Sequence, residues 1–242
     1  MKILIIRHAE PDYPHNMLTE KGFREAEMLS DRLEKCELTA LYSSPLPRAV
    51  QTAEPTAGRC HREIQILDWL QEFRGAVLDE SGNRRVSWNL LPRSWSLDRK
   101  LYSIDTWLSN PMMSSVNVRA EYENVTARLD ELLSEYGYRR DGVIYRCVEN
   151  RRDAIALFCH FGVGMVLVSH LTGISPVLLW QSMFLPTSSV STFVTEERIE
   201  GEVVFKCMQL GDTSHLYANG ESVSRSGLFS EFYGGAGAGP QV

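Results

Sequence analysis

Two stretches of the chain are apolar without alternation. Residues 3–6 ("ILII") and residues 154–159 ("AIALFC") have the pattern of strands covered on both faces, and therefore of a parallel sheet. Between and around them, two shorter runs read as strands: "LTALYSS" (38–44) and the region of Ile64, Ile66 and Leu67. Helical periodicity alternates with these runs. Phe23, Ala26, Leu29 and Leu33 recur at three- and four-residue spacing, which predicts a helix over 20–35 capped by Thr19. Pro47 suits a first helical turn, and "RAVQTAEPTAG" carries that helix to Gly58. Tyr122, Val125, Leu129, Leu132 and Leu133 form another stripe, closed by Gly137. "AIALFCHFGVG" runs from its strand into a glycine-rich turn, and "MVLVSHL" continues as a helix to Gly173. "VSTFVTEERIEGEVVFKCMQL" predicts an antiparallel hairpin at a sheet edge, turning at Glu200-Gly201. This alternation predicts an α/β fold: a mostly parallel central sheet, helices on both faces and an antiparallel hairpin.

Residues 76–117 break the rhythm. "LDESGNRR", "LLPRSW" and "LSNPMMSS" read as loops or short helices, and the segment is expected as an insertion into a single domain over 1–216. Three of the five tryptophans (Trp88, Trp95, Trp107) fall in it, with Arg84, Arg85 and Arg93 among them. Either they are the small core of the insert, or the insert is a lid that presents aromatic faces and a cation to a ligand. Residues 217–242 are rich in Gly and Ser and are expected as a mobile tail.

Composition narrows the partners. The 242 residues carry 43% hydrophobic side chains and a formal charge of −6, so general binding to nucleic acid is not expected. No apolar run approaches the ~20 residues that span a bilayer. The five cysteines show no CxxC spacing, which suggests reduced thiols in a cytoplasmic protein and neither a disulfide framework nor a zinc site.

The apolar strands end in reactive residues. In a parallel sheet, ligands bind beyond the carboxyl ends of the strands. Arg7-His8 and Cys159-His160 lie at two such ends, Arg48 follows the second strand and Glu72 follows the third. Two imidazoles, two guanidiniums and a carboxylate suit phosphoryl transfer through histidine, with no metal and no cofactor needed. A neutral imidazole attacks phosphorus, guanidinium forks hold the phosphoryl oxygens and a carboxylic acid protonates the leaving group. Gly162 and Gly164 open a helix whose first amides can also face an anion. Singly, His8 and His160 are equally well read as core histidines. The motif around Arg48 tips the balance.

Together "LIIRHAE", "LYSSPLPRAVQTA", "LQEFRG" and "FCHFGVG" resemble the histidine phosphatase superfamily, of phosphoglycerate-mutase-like fold, over residues 1–75 and 120–216. The resemblance implies that His8 is the nucleophile that becomes phosphohistidine. It implies that Arg7, Arg48 and His160, with the adjacent Phe161, bind the phosphate end of the substrate, and that Glu72 is the general acid. Glu54, Glu63 and Asp68 are the other nearby carboxylates. Three positions depart from the family pattern: Ala9 and Phe161 stand where it has Gly, and Pro14 stands where mutases have Asn. The last departure favours a phosphatase acting on a small phosphorylated metabolite. The alternatives are a mutase-type phosphotransferase and a non-catalytic phospholigand module. Of the other histidines, His61 and His170 read as structural, His15 as a candidate substrate contact and His215 as a group ordering the site from behind. Cys159 reads as a small buried residue. Oligomeric state is left open.

Overall fold

The N-terminal apolar run forms strand β1 (Lys2–Arg7) in a computed structural model that describes residues 1–149 and 151–228. A small ribbon of β2 (Pro11–Asp12) and β3 (Met17–Leu18) follows, then α1 (Glu20–Leu33). The Thr19 side chain accepts the Gly22 amide hydrogen at 3.0 Å, so the predicted cap sets the start of α1. Next come β4 (Ala40–Ser43), α2 (Pro47–Cys60) and β5 (Ile64–Ile66). The segment 76–117 contains an antiparallel pair, β6 (Ala76–Leu78) and β7 (Arg84–Val86), and a short helix, α3 (Pro92–Ser96). The long helix α4 (Val118–Glu135) leads to β8 (Tyr138–Asp141) and β9 (Ile144–Cys147). The second apolar run is β10 (Ala154–Cys159), followed by α5 (Phe161–Thr172) and α6 (Pro176–Ser182). The chain then forms β11 (Val190–Ile199), β12 (Glu202–Asp212) and α7 (Ser214–Ala218).

Eight strands make one mixed sheet in the order β5-β4-β10-β1-β11-β12-β9-β8. From β5 to β1 the pairing is parallel, and from β1 to β8 it is antiparallel. The expected α/β class holds. The β11–β12 hairpin turns at Gly201, with φ of 76°, as the sequence suggested. It does not end the sheet, however, because β8 and β9 extend it outward. That second hairpin hides in sequence because its first strand, "YRRD", is only four residues long and carries three charges.

Alternation along β1 explains its unbroken apolarity. Ile3 and Ile5 join one core with Val125, Leu129 and Leu133 of α4. Leu4 and Ile6 join the other with Leu29 and Leu33 of α1. Each face of the strand meets a helix layer, and each fully buried aliphatic side chain contributes about 1.5–3 kcal/mol. The tryptophans of 76–117 divide. Trp107 is fully buried, edge-on to Tyr122 and Trp180, and Trp95 lies against Tyr102. Trp88 instead lies near Phe73, beside the edge where β1 and β10 end.

Helix α5 begins at Phe161, so no separate glycine-rich turn precedes it. Gly162 is required for space: a Cβ there would lie 2.6 Å from the Trp88 ring and 2.8 Å from Glu72 Oε1. Of the tail expected over 217–242, residues from 229 onward lie outside the described residues. Residues 219–228 are mostly exposed but touch the domain at points: Glu221 pairs with Arg24 at 3.2 Å, and Ser224 is buried.

Gly22, in the first turn of α1, presses on the loop that follows His8. A Cβ there would come 2.2 Å from the Glu10 carbonyl oxygen, which already accepts the Thr19 amide hydrogen. Gly22→Ala is expected to lower stability by about 1–3 kcal/mol, the usual cost of overpacking. Denaturant unfolding measures it. An unchanged midpoint would show that the loop yields freely.

Candidate active site

Parallel pairing sets Arg7 opposite Cys159, so the next residues, His8 and His160, leave the sheet side by side. Their ring centroids are 5.1 Å apart and both side chains are buried. The His8 backbone is held closely. Its amide hydrogen goes to the Cys159 carbonyl at 2.9 Å, and its carbonyl accepts from Ser188 at 3.1 Å. The Ala9 amide donates to Thr52 Oγ1 at 2.9 Å. His8 Nδ1 lies 2.8 Å from the Ala9 carbonyl oxygen. A carbonyl only accepts, so Nδ1 carries the proton and Nε2 keeps its lone pair. Burial, then Arg7 and Arg48, lowers the His8 pKa well below the usual histidine value, and the ring is neutral at pH 7.

His160 is neutral for similar reasons: burial first, then His8, Arg48 and Arg7. Its Nε2 is 2.8 Å from Ser44 Oγ, which also accepts the Leu46 amide hydrogen at 3.2 Å. Nε2 is the one acceptor within reach of the buried Ser44 hydroxyl among the described hydrogen bonds, so the hydroxyl donates to Nε2 and the proton of His160 sits on Nδ1. That atom is buried without a partner.

The two arginines frame the histidines. Arg7 donates through Nη1 to the Leu185 carbonyl at 2.6 Å and through Nη2 to the Ser226 carbonyl at 3.4 Å. Its guanidinium lies 5.3 Å from the centre of the Phe184 ring and 5.9 Å from that of Phe161. Arg48 donates to Asn16 Oδ1 and lies 5.8 Å from the centre of the Tyr13 ring. Arg7 Nε and Arg48 Nε are both buried without partners. With His160 Nδ1 they make three buried donors left open, and leaving such groups unmade costs about 1–3 kcal/mol each. Three open donors, two of them on guanidiniums, suit an anion with several oxygens.

Glu72 approaches from the loop after β5. Its Oε1 accepts amide hydrogens from Phe73 at 2.8 Å and Val163 at 3.1 Å. Those bonds and the nearby arginines favour the carboxylate, but burial outweighs them and raises the pKa. Glu54, Glu63 and Asp68 are exposed. Two cavities of about 470 Å³ each flank the site. One is lined by Leu46, Glu72, Arg84 and Val86, the other by Phe161, Phe184 and Leu228, and Trp88 borders both.

The structure thus gathers Arg7, His8, Arg48, Glu72, His160 and Phe161 at one sheet edge. His15 is exposed and bonds Asp12 at 2.7 Å, while His61 ends α2 and His170 bonds Asp130 at 2.9 Å. Burial pushes the Cys159 thiol pKa up, against a thiolate. Sequence reasoning missed Asn16. The family pattern places an amide six positions past His8, where this chain has Pro14, and Asn16 stands eight past it. Ser44 and Thr52 lie within "SSPLPRAVQTA", but their bonds to His160 and Ala9 need the fold to be seen. No cluster of three or more His, Cys, Asp or Glu suited to a metal occurs among the described residues, nor does any helix long and apolar enough to cross a membrane.

Comparison with known proteins bears on this arrangement. A curated 2,3-bisphosphoglycerate-dependent phosphoglycerate mutase of Thermoplasma acidophilum is 37% identical over 26% of this chain and 38% of the relative, so the match spans well under half of that enzyme. A mutant phosphoserine phosphatase of Entamoeba histolytica, solved with phosphoserine, has the same fold with a TM-score of 0.59 at 18% identity, over 89% of this chain and 98% of that one. A native mycobacterial glucosyl-3-phosphoglycerate phosphatase gives 0.53 at 17%, over 87% and 98%. Residues 3–205 match the model of the histidine phosphatase superfamily (branch 1), and with a match over most of its length the chain belongs to that superfamily.

Proposed function

We propose that the protein is a phosphomonoester hydrolase that passes the phosphoryl group of a small phosphorylated metabolite to His8 and then to water. One observation carries this reading: a neutral His8, with its Nε2 lone pair free, beside three buried donors without partners. The phosphate oxygens take Arg7 Nε, Arg48 Nε and His160 Nδ1, and the guanidiniums neutralise charge on the transferring group. Nε2 bonds to phosphorus as the ester P–O bond breaks, and protonated Glu72 gives its proton to the leaving oxygen. Water then attacks the phosphohistidine, Glu72 takes a proton from it, and the N–P bond breaks to return His8 and inorganic phosphate. The raised pKa of Glu72 fits the acid role. Arg7 and Arg48 supply the positive charge, so no metal is assigned.

The leaving alcohol lies on the Glu72 side, where Trp88 of the segment 76–117 and Arg84 line the cavity. The domain over 1–216 then carries the chemistry, and the segment 76–117 supplies one wall of the substrate site. Phosphatase relatives support hydrolysis of small phosphomonoesters. A mutase reading, in which an organic acceptor replaces water, draws on the contact of Asn16 with Arg48. The five cysteines are unpaired, which supports a reducing compartment such as the cytoplasm.

A panel of phosphorylated metabolites, assayed for free phosphate with and without organic acceptors, tests the reading. Release without an acceptor, unaffected by chelator and abolished in folded His8→Ala, is expected. Acceptor-dependent transfer would support the mutase, and binding without turnover would leave a phospholigand module.

Glu72→Gln removes the acid while keeping the shape. It is expected to slow alkyl phosphates by about 10²–10⁴-fold and a nitrophenyl phosphate far less, since that leaving group needs little proton help. The pH profile of kcat should follow. An acid with a raised pKa works below that pKa, so the wild-type rate falls as pH rises through it, and that limb vanishes in Glu72→Gln. Equal losses on both substrates with the limb retained would remove Glu72 from the acid role.

A further inference from the structure

Four non-glycine residues among those described adopt the left-handed backbone region: Asn16 (φ 54°), Glu37 (48°), His61 (51°) and Ser188 (55°). Glu37 and His61 end helical segments, where this conformation is common. Asn16 belongs to a residue type that tolerates it. Ser188 has neither excuse. It is fully buried, third in a turn closed by the Ser189 amide on the Pro186 carbonyl at 3.2 Å. A turn that needs positive φ at its third position ordinarily places glycine there.

What Ser188 touches suggests why a side chain is present. Its amide donates to the His8 carbonyl at 3.1 Å, and its Oγ lies 3.1 Å from Nε2 of buried His215. On either side of it, the Ser189 carbonyl accepts the Arg7 amide hydrogen at 3.2 Å and the Leu185 carbonyl holds the Arg7 guanidinium. The peptide joining His8 and Ala9 is therefore clamped at both polar atoms: its oxygen by Ser188 and its N–H by Thr52. The next carbonyl, that of Ala9, holds the proton of His8 Nδ1. A rotation of the clamped peptide would carry the Ala9 carbonyl away from Nδ1 and turn Nε2 off its line to phosphorus. Burial, then Arg32, lowers the His215 pKa to about 4, so its ring is neutral at neutral pH and suited to a hydroxyl partner.

We propose that His215 and Ser188 are positioning residues for the nucleophile: the bond between them holds Ser188 left-handed, and the Ser188 amide then fixes the peptide that orients the His8 imidazole. The proposal rests on the reading of His8 as nucleophile.

Glycine separates positioning from packing, because it takes positive φ without help. Ser188→Ala and His215→Ala are each expected to lower kcat by about 10–100-fold, the scale of a small misplacement of a reacting group. Affinity for inorganic phosphate, which the donors hold without a bond to Nε2, should change by less than about threefold, or ~0.7 kcal/mol. Ser188→Gly should stay close to wild type. In that background His215→Ala should add little, so the two substitutions are non-additive. Equal loss from His215→Ala in both backgrounds, or a Ser188→Gly as slow as Ser188→Ala, would overturn the proposal and leave both residues as packing. The ¹⁵N shifts of the His8 ring give a second reading that needs no turnover. The Nδ1–H tautomer should predominate in wild type and Ser188→Gly and be diluted in Ser188→Ala. Tautomers unchanged across all variants would also overturn it. An enzyme without turnover but with these tautomer changes would retain the positioning relay and lose only the hydrolase reading. If His215→Ala does not fold, the comparison of alanine with glycine at 188 decides.

Discussion

The register of β1 on β10 is the constraint on which the site depends. Because Arg7 pairs with Cys159, both strands end at the same level, and two histidines emerge as neighbours from segments 152 positions apart. The backbone bond from His8 to the Cys159 carbonyl continues that pairing by one residue. A slip of one position would turn Ile3 and Ile5 onto the face of Leu4 and Ile6 and break both cores. The packing that buries the strand therefore also fixes the two imidazoles. The apolar run ends in a cation and an imidazole because the sheet ends there and the candidate site begins.

Charge is arranged around that edge so that each group stays in one useful state. The same burial that keeps both imidazoles neutral holds Glu72 toward its protonated form, and the guanidiniums oppose the second effect while adding to the first. Arg7 and Arg48 are anchored through their terminal nitrogens by a carbonyl and an amide oxygen, which leaves each Nε aimed elsewhere and unpaired. On the proposed function, a polyatomic anion would satisfy what the protein leaves open. The left-handed turn at Ser188 adjoins the same arrangement, since its amide donates to the His8 carbonyl.

Much of this was legible in the sequence, for physical reasons. The strands β1 and β10 could be recognised because burial on both faces removes polar residues, and α1 because its Thr19 cap and apolar stripe are both local signals. Arg7, His8, Arg48, Glu72 and His160 were legible because strand ends in a parallel sheet converge. The β8–β9 hairpin was not, since three of the four residues of β8 are charged and one buried tyrosine makes no apolar pattern. The contacts of Asn16 and Ser188 were hidden because they depend on left-handed backbone and on partners distant in the chain. Gly162 and Gly164 were legible as opening a helix; that Gly162 also makes room for Trp88 and Glu72 was not, because those neighbours are distant in the chain.

The central claim is that His8 carries phosphorus in the reaction. The direct measurement is a rapid acid-free quench during turnover, followed by peptide mapping under alkaline conditions. The account predicts one phosphate on His8, attached at Nε2, stable to alkali, lost in acid, and formed fast enough to support turnover. Turnover with no phosphate on His8 at any time, or with phosphate on another side chain, would contradict it.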